Sequence, residues 1–218
     1  MSKPEPIEVA VISDVMCPWC FIGEKNLKAA LNLLPSIPVR VKWLPFQLDG
    51  TLPPEGKDRQ QYLEDKFGGA EAAQSVYANI KKAGLSAGID FAFDKITRSP
   101  NTLNIHRVIK WAEELGLQSA VVEAFFKAYF LEGKDLTKLE VIAETAASGG
   151  MNQRIVADRL NTDEDIQTVK QMINEAHNMG VSGVPFFVID QRFALSGAQP
   201  AETLAAAIQH ADTTRAAS

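Results

Sequence analysis

The residues with the clearest chemical potential are Cys17-Pro18-Trp19-Cys20, a tetrapeptide that holds both cysteines of the chain. An apolar run, Ile7 to Ile12, precedes it, and a helix-like pattern follows. A strand that delivers a Cys-x-x-Cys to the first turn of a helix is a redox arrangement. The helix start offers unpaired backbone N–H groups and the positive end of the macrodipole, and both favour a thiolate over a thiol. In such settings a cysteine pKa falls from about 8.5 into a range of about 3.5–7.5. The thiolate is the form that attacks disulfides. Cys17, expected to be the exposed cysteine at the helix start, is therefore the candidate nucleophile. Cys20, one turn further in, is expected to resolve the mixed disulfide. Pro18 is tolerated in a first helical turn, where its missing N–H costs nothing. Pro18 and Trp19 stand where they can tune the redox poise of the pair, and Trp19 reads equally as an apolar contact for substrate.

A zinc half-site is the other chemistry open to two cysteines. Zinc needs four ligands, and the remaining soft donors, His106, His177 and His210, are scattered along the chain. No metal is expected. Asp14 lies three residues before Cys17. It could orient the motif loop, accept a hydrogen bond or move a proton when Cys20 attacks, or it could simply cap a loop. Glu24 reads as a solvated side chain.

The whole chain limits the function classes. Its 218 residues suit one large domain or one domain with a substantial insertion. With 46% hydrophobic and 22% charged residues it can bury a sizeable core. The formal charge of −5, without long single-sign runs, argues against nucleic acid or an anionic membrane as main partner. Met1 to Asp14 lacks the basic flank and long apolar stretch of a signal peptide, and no run approaches the length of a membrane span. The expected address is the cytoplasm, where a Cys pair is more often catalytic than structural.

The elements that must position the pair follow from periodicity. Ile7 to Asp14 reads as a strand buried on both faces. Leu27, Ala30, Leu31 and Leu34 form the stripe of a helix that Pro35 stops. Val39 to Trp43 alternates as a half-exposed strand. Beyond the loop Pro53-Pro54-Glu55-Gly56, almost everything from Gln60 to Leu160 reads helical. Asn101 could cap a helix carrying Ile105, Val108, Ile109 and Ala112. Val122, Phe125, Phe126, Tyr129 and Phe130 form a second stripe, read as core. A third helix is expected over 136–147. Thr162-Asp163-Glu164-Asp165 reads as a helix start with acids in its first turn. Pro185 to Ile189 and Arg192 to Ser196 read as a hairpin around Asp190-Gln191, with a last helix from Pro200 and a frayed tail from Thr213 to Ser218. Pro185 on its own could merely begin its strand.

The order β-α-β, helices, α-β-β-α suggests an α/β thioredoxin-like fold with an inserted all-helical domain. The expected division is 1–55 and 161–218 for the thioredoxin-like part and 56–160 for the insertion. Cys17-Pro18-Trp19-Cys20, Gly180-Val181-Ser182-Gly183-Val184-Pro185 and Ser196-Gly197-Ala198-Gln199-Pro200 together resemble the DsbA family of thiol-disulfide oxidoreductases, and most of all its FrnE-like branch. The resemblance spans nearly the whole chain. It implies a cis Pro185 lying against the cysteines, with the Val184 backbone turned outward to pair with an extended substrate. Asn101-Thr102-Leu103-Asn104-Ile105-His106-Arg107 is similar to a segment that faces the active site in FrnE-like and related isomerase proteins, which implies substrate contact for Asn101 and His106. The implied activity is exchange on protein or small-molecule thiols and disulfides without metal or organic cofactor, with glutathione a conceivable co-substrate and a homodimer a conceivable assembly. The competing reading is a glutathione-dependent enzyme of the 2-hydroxychromene-2-carboxylate isomerase or kappa glutathione transferase type. Those enzymes typically place serine where Cys17 stands, so retention of both cysteines argues against it. Some FrnE-like proteins carry a further cysteine pair near the C-terminus. This chain does not, so any recycling must come from another molecule.

Overall fold

The structure is a computed structural model and describes residues 5–215. β1 (Ile7–Ser13) is the central strand, and its apolar, largely β-branched run is buried almost throughout because sheet neighbours and helices cover it. α1 (Pro18–Asn32) follows, and β2 (Val39–Pro45) returns parallel to β1, in register from Ile7↔Val39 to Ser13↔Pro45. The chain then leaves the sheet. A two-residue strand, β3 (Lys57–Asp58), leads into α2 (Arg59–Phe67) and α3 (Ala70–Ser86), and β4 (Arg98–Ser99) pairs back onto β3. α4 (Leu103–Glu114), α5 (Gln118–Phe130), α6 (Leu139–Ser148), α7 (Gln153–Leu160) and α8 (Ile166–Asn178) bring the chain back to the sheet. β5 (Phe186–Ile189), β6 (Phe193–Ser196) and α9 (Ala201–Arg215) complete it. The strand order is β2-β1-β5-β6, with β5 antiparallel to both neighbours. This is a thioredoxin-like α/β fold carrying a helical insertion.

Two contacts dock the insertion. Phe21 of α1 stacks on Phe126 of α5 with ring centroids 5.1 Å apart, inside a cluster that includes Phe91 and Phe130. At the edge strand β2, Gln118 replaces a missing strand neighbour. Its carbonyl accepts the Trp43 N–H at 3.0 Å, and its amide donates to the Trp43 carbonyl at 3.1 Å. A buried edge would otherwise leave both backbone groups unpaired.

Three boundaries differ from expectation. Thr162 to Asp165 precede α8 instead of forming its first turn, and Asp165 is in the left-handed region at φ 62°. The cause is Arg107, whose buried guanidinium donates to the carbonyls of Arg159, Thr162 and Glu164 at 3.1, 2.6 and 2.7 Å. Those carbonyls are drawn inward and cannot start a helix. The helix expected from residue 136 begins at Leu139, because Asp135 accepts from the Thr137 N–H and hydroxyl and holds a turn there. The final helix runs to Arg215, which pairs with Asp190, so Thr213 to Arg215 are not frayed. Residues 216–218 lie outside the described part.

Glu24 is buried, against the solvated reading. It lies on the α1–α5 seam, where Lys28 Nζ approaches its Oε1 to 2.9 Å. Burial pushes its carboxyl above the ordinary range despite Lys28 and Lys25. Glu123, across the seam, is also partly desolvated, but Lys28, Lys127 and Lys25 outweigh that and hold it at about 2. The two acids act on stability with opposite signs. An acid with a raised folded pKa binds more protons folded than unfolded, so stability falls as pH rises above its unfolded value of about 4.3. A depressed acid adds stability above that value and loses it as pH falls through the folded pKa. Glu24→Gln is therefore expected to raise the melting temperature at neutral pH. Glu123→Gln is expected to lower it, with the deficit closing as pH falls below about 4.3. Melting curves of both variants across that range check the pair of signs, and parallel pH profiles would contradict them.

Candidate active site

The turn from β1 to α1 builds the site. The Cys17 N–H donates to the Asp14 carbonyl at 3.0 Å, and the Cys20 N–H donates to the Cys17 carbonyl at 3.0 Å. Cys17 is the N-cap of α1 and Pro18 opens the helix. Its thiol makes no capping bond. It donates instead to the Val184 carbonyl, 3.6 Å from Sγ. The Val184–Pro185 peptide is cis. The Pro185 ring rests on Gly23 so closely that a Cβ there would lie 2.9 Å from Cγ, which is why α1 carries glycine at this point.

Cys17 is more enclosed than expected, and Cys20 lies deeper still. Cys17 is 4% exposed and Cys20 is 1% exposed. α2 and α3 wall off the motif, so Cys17 opens into a cavity of about 260 Å³ instead of bulk solvent. Pro18, Trp19, Tyr62, Tyr77 and Val184 share that lining, and Cys20 does not reach it. Trp19 is 40% exposed and also borders an open groove between α1, α3 and α9. Burial pushes the Cys20 thiol well up, and the hydrogen bond and charge of the Cys17 sulfur push it further. The Ser13 hydroxyl and a backbone bond from Asp14 pull the other way.

Asp14 is fully buried. Its carboxylate accepts the Leu48 N–H at 2.8 Å and the Met16 N–H at 3.4 Å. His106, also buried, donates through Nε2 to the Phe46 carbonyl at 2.8 Å and stands 3.6 Å from Asp14 Oδ1. Asn101 accepts from Gln47 and from the Leu103 N–H, and it donates to the Leu52 carbonyl. Neither Asn101 nor His106 lines the Cys17 cavity. The structure places them behind it, holding the loop after β2. Arg107 of the same segment faces the α7–α8 connection.

A family model described as a DSBA-like thioredoxin domain matches residues 8–209. The chain belongs to the DsbA-like thioredoxin family. A solved structure of a probable DsbA oxidoreductase from Streptomyces coelicolor is 28% identical, with a TM-score of 0.85 over 94% of this chain and 89% of that one. Two more distant structures share the fold. A cytosolic disulfide reductase, DsbM, from Pseudomonas aeruginosa with GSH is 18% identical, with a TM-score of 0.65 over 93% of this chain and 98% of that one. A 2-hydroxychromene-2-carboxylate isomerase is 12% identical, with a TM-score of 0.71 over 96% and 98%.

In this DsbA-like chain, two groups of residues escaped the sequence reading. Arg59, Tyr62, Leu63, Lys66 and Phe67 all line the Cys17 cavity from α2. Their i, i+3, i+4, i+7, i+8 spacing was a legible signal of one helix face. Ser13 carried no such signal. Its hydroxyl is buried, makes no completed hydrogen bond among the described residues and faces the Cys20 sulfur. Ser13→Ala is expected to push the Cys20 thiol further up. Resolution of a preformed Cys17 mixed disulfide should then slow about tenfold near neutral pH, the scale of the hydrogen bond that the hydroxyl can donate once Cys20 is an anion. Stopped-flow release of the bound thiol against pH reads this, and an unshifted profile would assign Ser13 to packing alone.

Proposed function

We propose that the chain is a dithiol–disulfide oxidoreductase of the cytoplasm, in the FrnE-like branch, acting on protein or small-molecule disulfides. The observation that carries this reading is the asymmetry of the pair: Cys17 opens into the cavity, and Cys20 is sealed one helical turn behind it. The Cys17 thiolate attacks one sulfur of the substrate disulfide. A Cys17–substrate disulfide forms, and the other substrate sulfur leaves as thiolate. Cys20 then gives up its proton and attacks the Cys17 sulfur. The Cys17–Cys20 disulfide forms, the second substrate thiolate leaves, and two electrons have passed from the protein to the substrate. An external dithiol, or two monothiols in turn, restores the Cys17–Cys20 dithiol and leaves as a disulfide, and the same steps in reverse oxidise a substrate. No metal or organic cofactor takes part.

The surrounding residues act on these two sulfurs. Pro18 and Trp19 shape the helix start that presents Cys17. Val184, beside the cis Pro185, is half-buried at the cavity wall, where its backbone can meet an extended substrate. Asp14, with His106 and Asn101 behind it, positions the motif loop. The cytoplasmic assignment is supported by cysteine usage, since both thiols of the chain are in the reactive motif and none is spent on a structural bridge.

Cys17→Ser is expected to reduce disulfide turnover to below about a thousandth. Cys20→Ser should instead accumulate a mixed disulfide at Cys17, seen by mass spectrometry as an adduct of one substrate half. A glutathione-dependent isomerase would keep its activity in Cys20→Ser and form no such adduct, which would overturn the exchange reading.

A further inference from the structure

Arg59 is a buried cation with no carboxylate partner among the described residues. It is 6% exposed, at the first position of α2. Its guanidinium donates to Tyr77 Oη at 2.5 Å, Ser99 Oγ at 3.2 Å and Tyr129 Oη at 3.3 Å. All three partners are neutral hydroxyls, and none of the described carboxylates pairs with it within 4.0 Å. The phenols cannot ionise to balance it. Burial pushes both Tyr77 and Tyr129 up. Burying an unpaired charge is costly, and a guanidinium has five donors, of which this geometry uses three.

The same side chain lines the Cys17 cavity, and so does Lys66, which among the described residues donates to Tyr62 Oη at 3.1 Å. The lining contains these two cations and no acid. Asp49, outside the lining, faces Tyr62. The remaining wall is mostly apolar, and a volume of about 260 Å³ admits a small molecule better than a folded chain.

We propose that Arg59, assisted by Lys66, is a carboxylate-docking site that selects low-molecular-weight disulfides carrying carboxylate groups and holds one sulfur against Cys17. This rests on the exchange reading above and adds its substrate class. The docked carboxylate supplies the carboxylate partner that Arg59 lacks, and a planar guanidinium suits a two-oxygen acceptor.

Three disulfides of similar size and different charge test it: dithiodiglycolate, anionic; hydroxyethyl disulfide, neutral; and cystamine, cationic. The wild-type protein is expected to prefer them in that order by kcat/KM, with the preference for dithiodiglycolate weakening as salt rises. Arg59→Gln should lower the ratio of kcat/KM for dithiodiglycolate over hydroxyethyl disulfide about tenfold, mainly through KM, with Arg59→Lys recovering part of it. Lys66→Gln, at a less enclosed position, should move the ratio the same way by a smaller factor. It keeps the test open should Arg59→Gln fail to fold. An unchanged ratio, whether both rates fall together or neither does, would overturn the proposal and assign Arg59 to the fold or to the Cys17 sulfur. A wild type with no preference for the anion would overturn it as well. Binding of S-methylglutathione, which has carboxylates but no exchangeable sulfur, to Cys17→Ser by calorimetry separates the two readings. Loss of that binding on adding Arg59→Gln supports the docking site even in a protein that turned over none of the disulfides, and binding that survives Arg59→Gln counts against it.

Discussion

Asp14 is fully buried at the end of β1, and an isolated carboxylate there would be costly to desolvate. Its position is tolerable because backbone N–H groups of Met16 and Leu48 point at its oxygens and the His106 ring stands beside them. That requirement fixes the site. The Met16 bond sets the turn that leads to Cys17, and the Leu48 bond ties the loop after β2 to the same point. Asn101 and His106 then fasten that loop to the start of α4 through Gln47, Leu52 and Phe46. A shift of the motif turn would strand the buried Asp14 carboxyl, so these bonds hold the sulfur at the helix start in place.

The insertion completes what the thioredoxin-like part begins. A strand–turn–helix alone would leave the first cysteine facing water. Here α2 and α3 fold over it and supply Tyr62, Tyr77, Arg59 and Lys66 as a wall. The phenylalanine stack between α1 and α5 and the Gln118 clasp on Trp43 keep that wall in register with the sheet. In a largely apolar cavity, charges act more strongly on the Cys17 sulfur than they would at an open surface.

Much of this was legible in the sequence. The strands around β1, the aromatic stripe of α5 and the hairpin at Asp190-Gln191 follow from local periodicity and turn chemistry, and the core they build is the observed one. The cis geometry at Pro185 came from resemblance, since an X–Pro dipeptide alone does not specify it. Local rules failed where a distant side chain decided the outcome. Thr162 to Asp165 has the composition of a helix start, but Arg107, more than fifty residues earlier, claims its carbonyls. Glu24 carries the charge of a surface residue and lies in a seam that only packing creates. Cys17 was placed at the surface because a helix start usually is, and the insertion covers it. Asn101, just before α4, and His106, within it, both turn toward the loop behind the cavity.

In the exchange proposed above, the burial of Cys20 also orders the two chemical steps. In the resting dithiol, its thiol is pushed up by enclosure and, after that, by the hydrogen bond and charge of the Cys17 sulfur. Enclosure is permanent, but the influence of Cys17 is not. Once Cys17 is joined to a substrate sulfur it carries no negative charge, and the repulsion that opposed a second anion disappears. The Ser13 hydroxyl and the Asp14 backbone bond, which favour the Cys20 anion, remain in place. Cys20 therefore ionises more readily in the mixed disulfide than in the free protein, and at that moment its target is the sulfur one helical turn away. A lone thiol that only held a co-substrate would gain nothing from such a neighbour, and this is why the sealed second cysteine supports the exchange reading.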